Sequence, residues 1–348
     1  MTRSTGILFA FLFVCSHLTA QTLYVDAAKG SDENRGLINE PLATLQKAVS
    51  LANQSAKEAP VTIKIAPGLY ILSTALRVAS ALGDTAKYIL EAMVMPDDSN
   101  WIPASMPVIQ SVSGNNNRKP FNHCTGIDVE RTNVTIRGLK FVGNANPSVD
   151  YYYPIERNMT LLKGLNISQC YFIGDRNGSV VQGAIWAQGP GIHIDHCIFY
   201  GCKNAVLSFL NPKDFSLTHT IIYGAYECAV WYGRNKDSIA EDPFIFRDNI
   251  VTHCNYFWGG SDDHNHAYYT FTNSLICDND HYVGIWDANG GVEPLKAEEK
   301  YHETNIRKSG TVKLVEVKTE GLPKRYLNLS PDSDGLDIDA GIFRVVKN

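Results

Sequence analysis

One phrase recurs in the middle of this chain, and it limits the fold more than any other feature. It reads Val134-Thr-Ile-Arg-Gly-Leu-Lys-Phe-Val-Gly143, then Leu165 to Gly174, Ile192 to Gly201 and Phe215 to Gly224, with looser copies from Phe244 and Tyr269. Successive copies start 31, 27, 23, 29 and 25 residues apart. A period in the twenties with variable spacing predicts a solenoid whose loops differ in length from coil to coil. Within each copy the first and third places are apolar (Val134/Ile136, Leu165/Ile167, Ile192/Ile194, Phe215/Leu217). That alternation marks a strand with one buried face. A polar or glycine place turns the chain at Gly138, Gln169, His196 and His219. A second apolar group, Phe141, Phe172, Phe199, Ile222, Val251 and Ile276, then points inward. Strand, turn and strand with no helical stretch between them predict a parallel β-helix, with each coil pairing edgewise to its neighbours.

A further strand follows in each coil. If Ile185, Val206, Val230, Phe257 and Ile285 face the core, then Trp186, Leu207, Trp231, Trp258 and Trp286 face outward. At roughly 4.8 Å between coils these would form one aromatic column. It would hold four of the five tryptophans and offer a platform for sugar rings. The alternative is that neighbouring loops cover most of these rings. Tyr151-Tyr-Tyr153 would be either a second wall of that groove or a loop cover.

With 348 residues, 44% of them hydrophobic, the chain can bury a large core, and it is read as a single domain over 21-348. A net charge of -5 argues against a nucleic-acid partner, which usually calls for a basic patch. Residues 1-20 combine Arg3, a short apolar run from Ile7 to Val14 and a Thr19-Ala20-Gln21 junction, which reads as a secretory signal cut after Ala20. That places the mature chain in the periplasm or outside the cell. The run is too short for a membrane helix, and Val14 before Cys15 fits lipoprotein processing poorly. Cleavage would leave seven cysteines. Cys170 and Cys197 share one place in successive phrases, and Cys202 shares another with Cys254 two coils on, so they read as reduced core thiols.

Before the repeats, Pro41 with Leu42, Leu45, Val49 and Ala52 on one face predicts an amphipathic helix over 41-53, suited to capping the open first coil. Val61 to Ile65 reads as the first coil strand. The rhythm breaks between Ala79 and Asn117, though Tyr88-Ile-Leu90, Pro107-Val-Ile109 and Gly126 to Val129 keep the strand pattern. Toward the end, Glu298 to Glu303 looks like an exposed excursion and Thr311 to Val317 like a closing strand.

The opening Tyr24-Val-Asp26, Gly30-Ser-Asp32, Gly36, Pro41 to Ala48 and Ile65-Ala-Pro-Gly-Leu-Tyr70 resembles that of secreted right-handed parallel β-helix proteins of the pectate-lyase-like superfamily. The ending Asp334 to Phe343 resembles their Asp-Ile-Gly-Ala-aromatic close, although here Asp339 and Ala340 stand before the glycine. The resemblance implies an all-β right-handed solenoid over nearly the whole mature chain. It leaves the activity open among polysaccharide lyases, glycoside hydrolases, epimerases and proteins without catalysis.

The densest polar group is Gly259-Gly-Ser-Asp-Asp-His-Asn-His266. A lyase acting beside a uronic acid must neutralise a carboxylate, remove a proton and protonate the leaving oxygen. Arg234 or Lys236 would neutralise, and His264 or His266 would act as base, since imidazole titrates near neutrality. Asp262 and Asp263 would hold Ca2+ if a metal does the neutralising. A hydrolase would need a pair of carboxylates drawn from Asp287, Asp242 and one of those two. The bland alternative is an ordinary polar loop. His196 and His219 read as stacked turn residues. Three readings therefore stand: a polysaccharide lyase, a glycoside hydrolase, or a non-catalytic glycan-binding or surface protein. Each is taken as a monomer with a polysaccharide or oligosaccharide partner.

Overall fold

The computed structural model describes residues 20–54, 59–79, 85–233, 243–260, 269–286, 292–294, 301–317 and 321–344. Among these residues it is a mostly parallel β structure, with strands in one group of 17 and another of 9, and one α-helix near the N-terminus. The repeated phrase supplies two strands per coil. Leu165–Ser168, for example, pairs in parallel with Val134–Arg137 before it and Ile192–Asp195 after it, residue for residue along the phrase. Tyr171–Ile173 pairs likewise with Lys140–Val142 and Ile198–Tyr200. The group of 9 contains the third strands, among them Ile185–Ala187, Asn204–Ser208, Cys228–Tyr232 and Tyr256–Gly260. Such superimposed coils make a solenoid.

Because successive coils are in register, like residues stack on like. The inward file Phe141, Phe172, Phe199, Ile222, Val251 and Ile276 is buried along its whole length. Phe172 lies between Phe141 and Phe199 at centroid distances of 5.0 and 4.8 Å, each ring tilted by 6°. Ile185, Val206, Val230 and Phe257 also face the core; the side chain of Ile285 lies outside the described residues. The seven cysteines from Cys124 to Cys277 are free and buried, and burial pushes the Cys202 and Cys254 thiols up to about 12.

The turn place has a backbone reason. Gln169, His196, His219, Asp248, Asn273 and Asn305 all have φ between 43° and 58°, and Gly138 has φ 72°. L-residues rarely adopt this left-handed region; Asn, Asp and His enter it more readily than most because their short polar side chains bond locally. The column is also joined through side chains. His196 and His219 stack at 4.5 Å and 17°, as the sequence predicts, and Asn305 Nδ2 donates to Asn273 Oδ1 at 2.6 Å.

Three sequence expectations change. The helix is Leu45–Asn53, not 41-53, with Thr44 as its N-cap accepting from the Lys47 amide at 3.1 Å. Pro41 lies outside it, because Leu42 is extended beside Tyr24 and Val25 and exchanges backbone bonds there (2.8 and 2.9 Å). The helix still buries Leu45, Ala48, Val49 and Ala52 against the first coils. Second, the excursion expected at 298-303 contains the start of strand Tyr301–Arg307, which pairs in parallel with Tyr269–Cys277. Its charged side chains suit an edge, where one face of the strand stays in water.

Third, Thr311 to Val317 is not a closing coil strand. It is an extended strap bonded to 327–334 (Val315 N to Asn328 O, 2.9 Å; Ser330 N to Lys313 O, 2.9 Å). Val312, Leu327, Leu329, Ile338 and Ile342 pack with Tyr171, Ile198, Ile221, Ile250 and Leu275 on the outer face of the second strands. Its alternation is real, but the apolar side covers that outer face instead of filling the interior.

Candidate functional site

Register decides what the outer face of the third strands carries. Asp128, Glu156, Trp186, Leu207 and Trp231 follow one another in line, each beside an inward partner, Ile127, Ile155, Ile185, Val206 or Val230. The next place in that line is Gly259. Trp258 pairs with Val230 and is fully buried in the main core, which corrects the expectation that it lines an outer column. The reason is steric: a Cβ at position 259 would lie 2.8 Å from Cε3 of Trp231, so the Trp231 indole occupies the space a further outer side chain would need. Trp286 ends strand His281–Trp286, but its side chain lies outside the described residues.

The column therefore shortens to Trp186, Leu207 and Trp231, and these are mostly covered, with exposures of 6%, 5% and 2%. Trp186 packs against Tyr153 (4.5 Å), His123 (5.4 Å) and Phe121 (5.9 Å, nearly parallel). Between Phe121, Tyr151 and Tyr153 on one side and Trp231, Leu207 and Phe209 on the other lies a cleft of about 440 Å³ with Trp186 on its wall. Tyr151 and Tyr153 thus form a wall, whereas Tyr152 is buried in the core.

Polar groups at this cleft are few and connected. Trp231 Nε1 donates to Asn204 Oδ1 (2.7 Å), and Asn204 Nδ2 donates to Glu227 Oε2 (2.6 Å) and the Gln182 carbonyl (2.9 Å). Lys203 Nζ lies 3.2 Å from Glu227 Oε1. Trp186 Nε1 is buried without a hydrogen-bond partner. A mostly apolar cavity with a few convergent polar groups is the usual form of a small-ligand seat.

Behind Trp186 sits a buried polar cluster that sequence reasoning missed. His123 Nδ1 faces the Phe121 carbonyl at 2.8 Å and Nε2 faces Glu156 Oε2 at 2.9 Å. A backbone carbonyl and a carboxylate face the two ring nitrogens, so the pocket favours the doubly protonated ring. Burial works against that charge, but the hydrogen bond and negative charge of Glu156 outweigh it and raise the histidine above its ordinary range. Thr125 Oγ1 also donates to Glu156. Asp128 is pushed up to about 7 by burial, then by the charges of Glu130 and Glu156, with Arg77 opposing. No repeat reaches 121–128, so only the register of Glu156 beside Trp186 could have pointed to this cluster.

Both groups have folded pKa values above their unfolded ones. Their favourable contribution is complete below the unfolded values, about 3.9 for Asp and about 6.5 for His. It falls as pH rises through the folded values, about 7 for Asp128. The urea midpoint is therefore expected to decline from pH 5 toward pH 8, and more shallowly in Glu156→Gln. A wild-type midpoint rising across that window would show that this cluster does not dominate the linkage.

The residues expected to do chemistry, Arg234, Lys236, Asp262, Asp263, His264, His266, Asp287 and also Asp242, lie outside the described residues. A cluster able to coordinate a divalent cation is present elsewhere: Asp195, His196 and His219 offer donor atoms within 4.8 Å of one another. Among the described residues no helix is long and apolar enough to cross a membrane.

The chain matches no protein-family model and no curated protein. At the level of fold, with low identity and broad coverage, it is similar to several solved carbohydrate-active proteins. One is a rhamnogalacturonan lyase (13% identity, TM-score 0.40, covering 93% of this chain and 100% of that one). Another is XylC with xylose (11% identity, TM-score 0.49, covering 84% and 70%). A third is the pectate lyase Pel9A (13% identity, TM-score 0.37, covering 91% and 90%).

Proposed function

We propose that this chain is a secreted right-handed parallel β-helix that acts on a polysaccharide and seats part of the glycan in the cleft between Trp186 and Trp231. One observation carries the reading. Two indoles and Leu207 stand in register on the same outer face, and they line one cleft with Asn204 and Glu227, which are hydrogen-bonded to each other. Apolar ring faces beside a few hydrogen-bonding groups suit a sugar, which has both. The proposed reaction is β-elimination next to a uronic acid. Arg234 or Lys236 would neutralise the carboxylate, His264 or His266 would remove the proton, and the leaving oxygen would take its proton from water. Asp287 belongs to the hydrolase alternative as one of its two carboxylates; the motif around Gly259 to His266 supports the histidine role.

Glu227 favours a second reading, a glycoside hydrolase or a glycan binder for neutral sugars. Among the described residues that line the cleft it is the charged one, and Lys203 balances it. Incubating the full chain with pectin, alginate, glycosaminoglycans and xylan separates the readings. Elimination gives an ultraviolet-absorbing unsaturated product, hydrolysis gives reducing ends without it, and a binder gives calorimetric heat with neither. Absence of all three signals on every glycan would sink the carbohydrate reading.

A further inference from the structure

We propose that Asp195, His196 and His219 form a site for a borderline transition cation of the zinc class, and that the bound ion clasps the C-terminal strap onto the coils. The two histidines hold successive left-handed turn places, and Asp195 precedes the first of them. Their Nδ1 atoms converge on one carboxylate oxygen: Asp195 Oδ1 lies 2.9 Å from His219 and 3.0 Å from His196.

The His196 contact is close without being aligned as a hydrogen bond. The residue is only 4% exposed, and neither ring nitrogen has a hydrogen-bond partner. Buried in that state, the imidazole has lost water and keeps only the unaligned contact to the Asp195 carboxylate, so coordination to a cation would supply a bond its nitrogens lack.

The outer nitrogens fit the same reading. His219 Nε2 faces Asp248 Oδ2 at 3.5 Å, and His196 Nε2 faces Asp339 Oδ2 at 3.9 Å. A metal-bound histidine commonly turns its other nitrogen to a carboxylate, which fixes the tautomer and makes the ligand more basic. Around Asp195, Thr218 Oγ1 donates to Oδ1 at 2.8 Å and Arg344 Nη2 lies 3.4 Å from Oδ2. Two imidazoles and one carboxylate suit zinc or cobalt; calcium wants six or more oxygens.

The C-terminal strap comprises 311–317 together with the segment 327–344 bonded to it; Asp339 and Arg344 lie in the latter, whose Gly341 amide donates to the His219 carbonyl (2.9 Å) and whose Ile342 carbonyl accepts from Gln169 Nε2 (3.0 Å). An ion on the histidines would therefore tighten a segment that otherwise holds by the Ile338 and Ile342 contacts and a few such bonds.

The test uses the full chain, dialysed against EDTA and titrated separately with Co2+, Zn2+ and Ca2+. Expected are saturable cobalt binding at one ion per chain with visible d–d bands, displacement by zinc but not by calcium, and zinc-dependent protection of the strap from limited proteolysis. His196→Asn and His219→Asn keep a residue suited to the left-handed backbone and are expected to abolish the bands. Asp339→Asn should weaken binding by about tenfold through the outer partner of His196. Wild-type protein without saturable cobalt or zinc binding, or binding that survives in both histidine variants, overturns the site. Should a histidine variant fail to fold, the wild-type titration and Asp339→Asn decide alone. Strap cleavage indifferent to zinc overturns the clasp.

Discussion

Phe172→Ala is expected to lower the stability of the chain by about 3–5 kcal/mol, the usual range for removing a buried phenyl ring. Phe172 is fully buried, and Phe141 and Phe199 sandwich it with nearly parallel planes. Neither neighbour can collapse into the space without leaving its own register, because each is fixed by strand pairing on both sides. The cavity term should therefore come close to its full size. In a solenoid each coil touches only its neighbours, so weakening a central interface should also broaden the unfolding transition. Guanidinium unfolding followed by tryptophan fluorescence and by far-ultraviolet circular dichroism measures both effects. A loss below about 1 kcal/mol, the scale of a typical surface change, would mean that the aromatic file is not continuous. The control is Phe121→Ala: that ring is 39% exposed, and its loss should hardly move the midpoint.

On the proposed reading Phe121 matters instead for recognition. With Trp186 it forms a nearly parallel pair at the cleft, 5.9 Å between ring centres. Trp186→Phe keeps an apolar ring against Tyr153 but shortens the cleft wall and removes the buried, unpaired Nε1. Each change is expected to weaken glycan binding by roughly tenfold, or about 1.4 kcal/mol. Because the two rings touch, the double variant should lose less than the product of the two effects. Calorimetric titration of whichever glycan the wild-type chain binds gives the numbers. Unchanged affinity in both variants, with the fold intact by circular dichroism, would remove this cleft as the sugar seat while leaving the solenoid untouched.

How far the site could be read in advance follows from which residues obey the repeat. Trp186 and Trp231 follow apolar residues that recur in the same place from coil to coil, so their outward direction was legible. Trp258 broke the rule because the outer place beside Trp231 was already filled by that indole, and a glycine met it there. Phe121, His123 and Glu156 were invisible for another reason. They approach Trp186 from a segment with no repeat and from a neighbouring strand, and their proximity depends on coil-to-coil register. The ionisable run after Gly260 was conspicuous in the sequence, yet residue type alone fixes no distances.

The local pattern by itself determined the coil: alternating apolar places, a turn residue tolerant of left-handed backbone and an apolar inward group recur within each phrase, and period-two burial needs no distant information. Tertiary structure alone decided which end residues cover which face. The same alternation in Thr311 to Val317 suits a coil strand or an external strap. It became a strap because the second strands present an apolar outer face at Tyr171, Ile198 and Ile221 that had to be covered. That choice also brought Asp339 to within 3.9 Å of His196, across more than a hundred residues of chain.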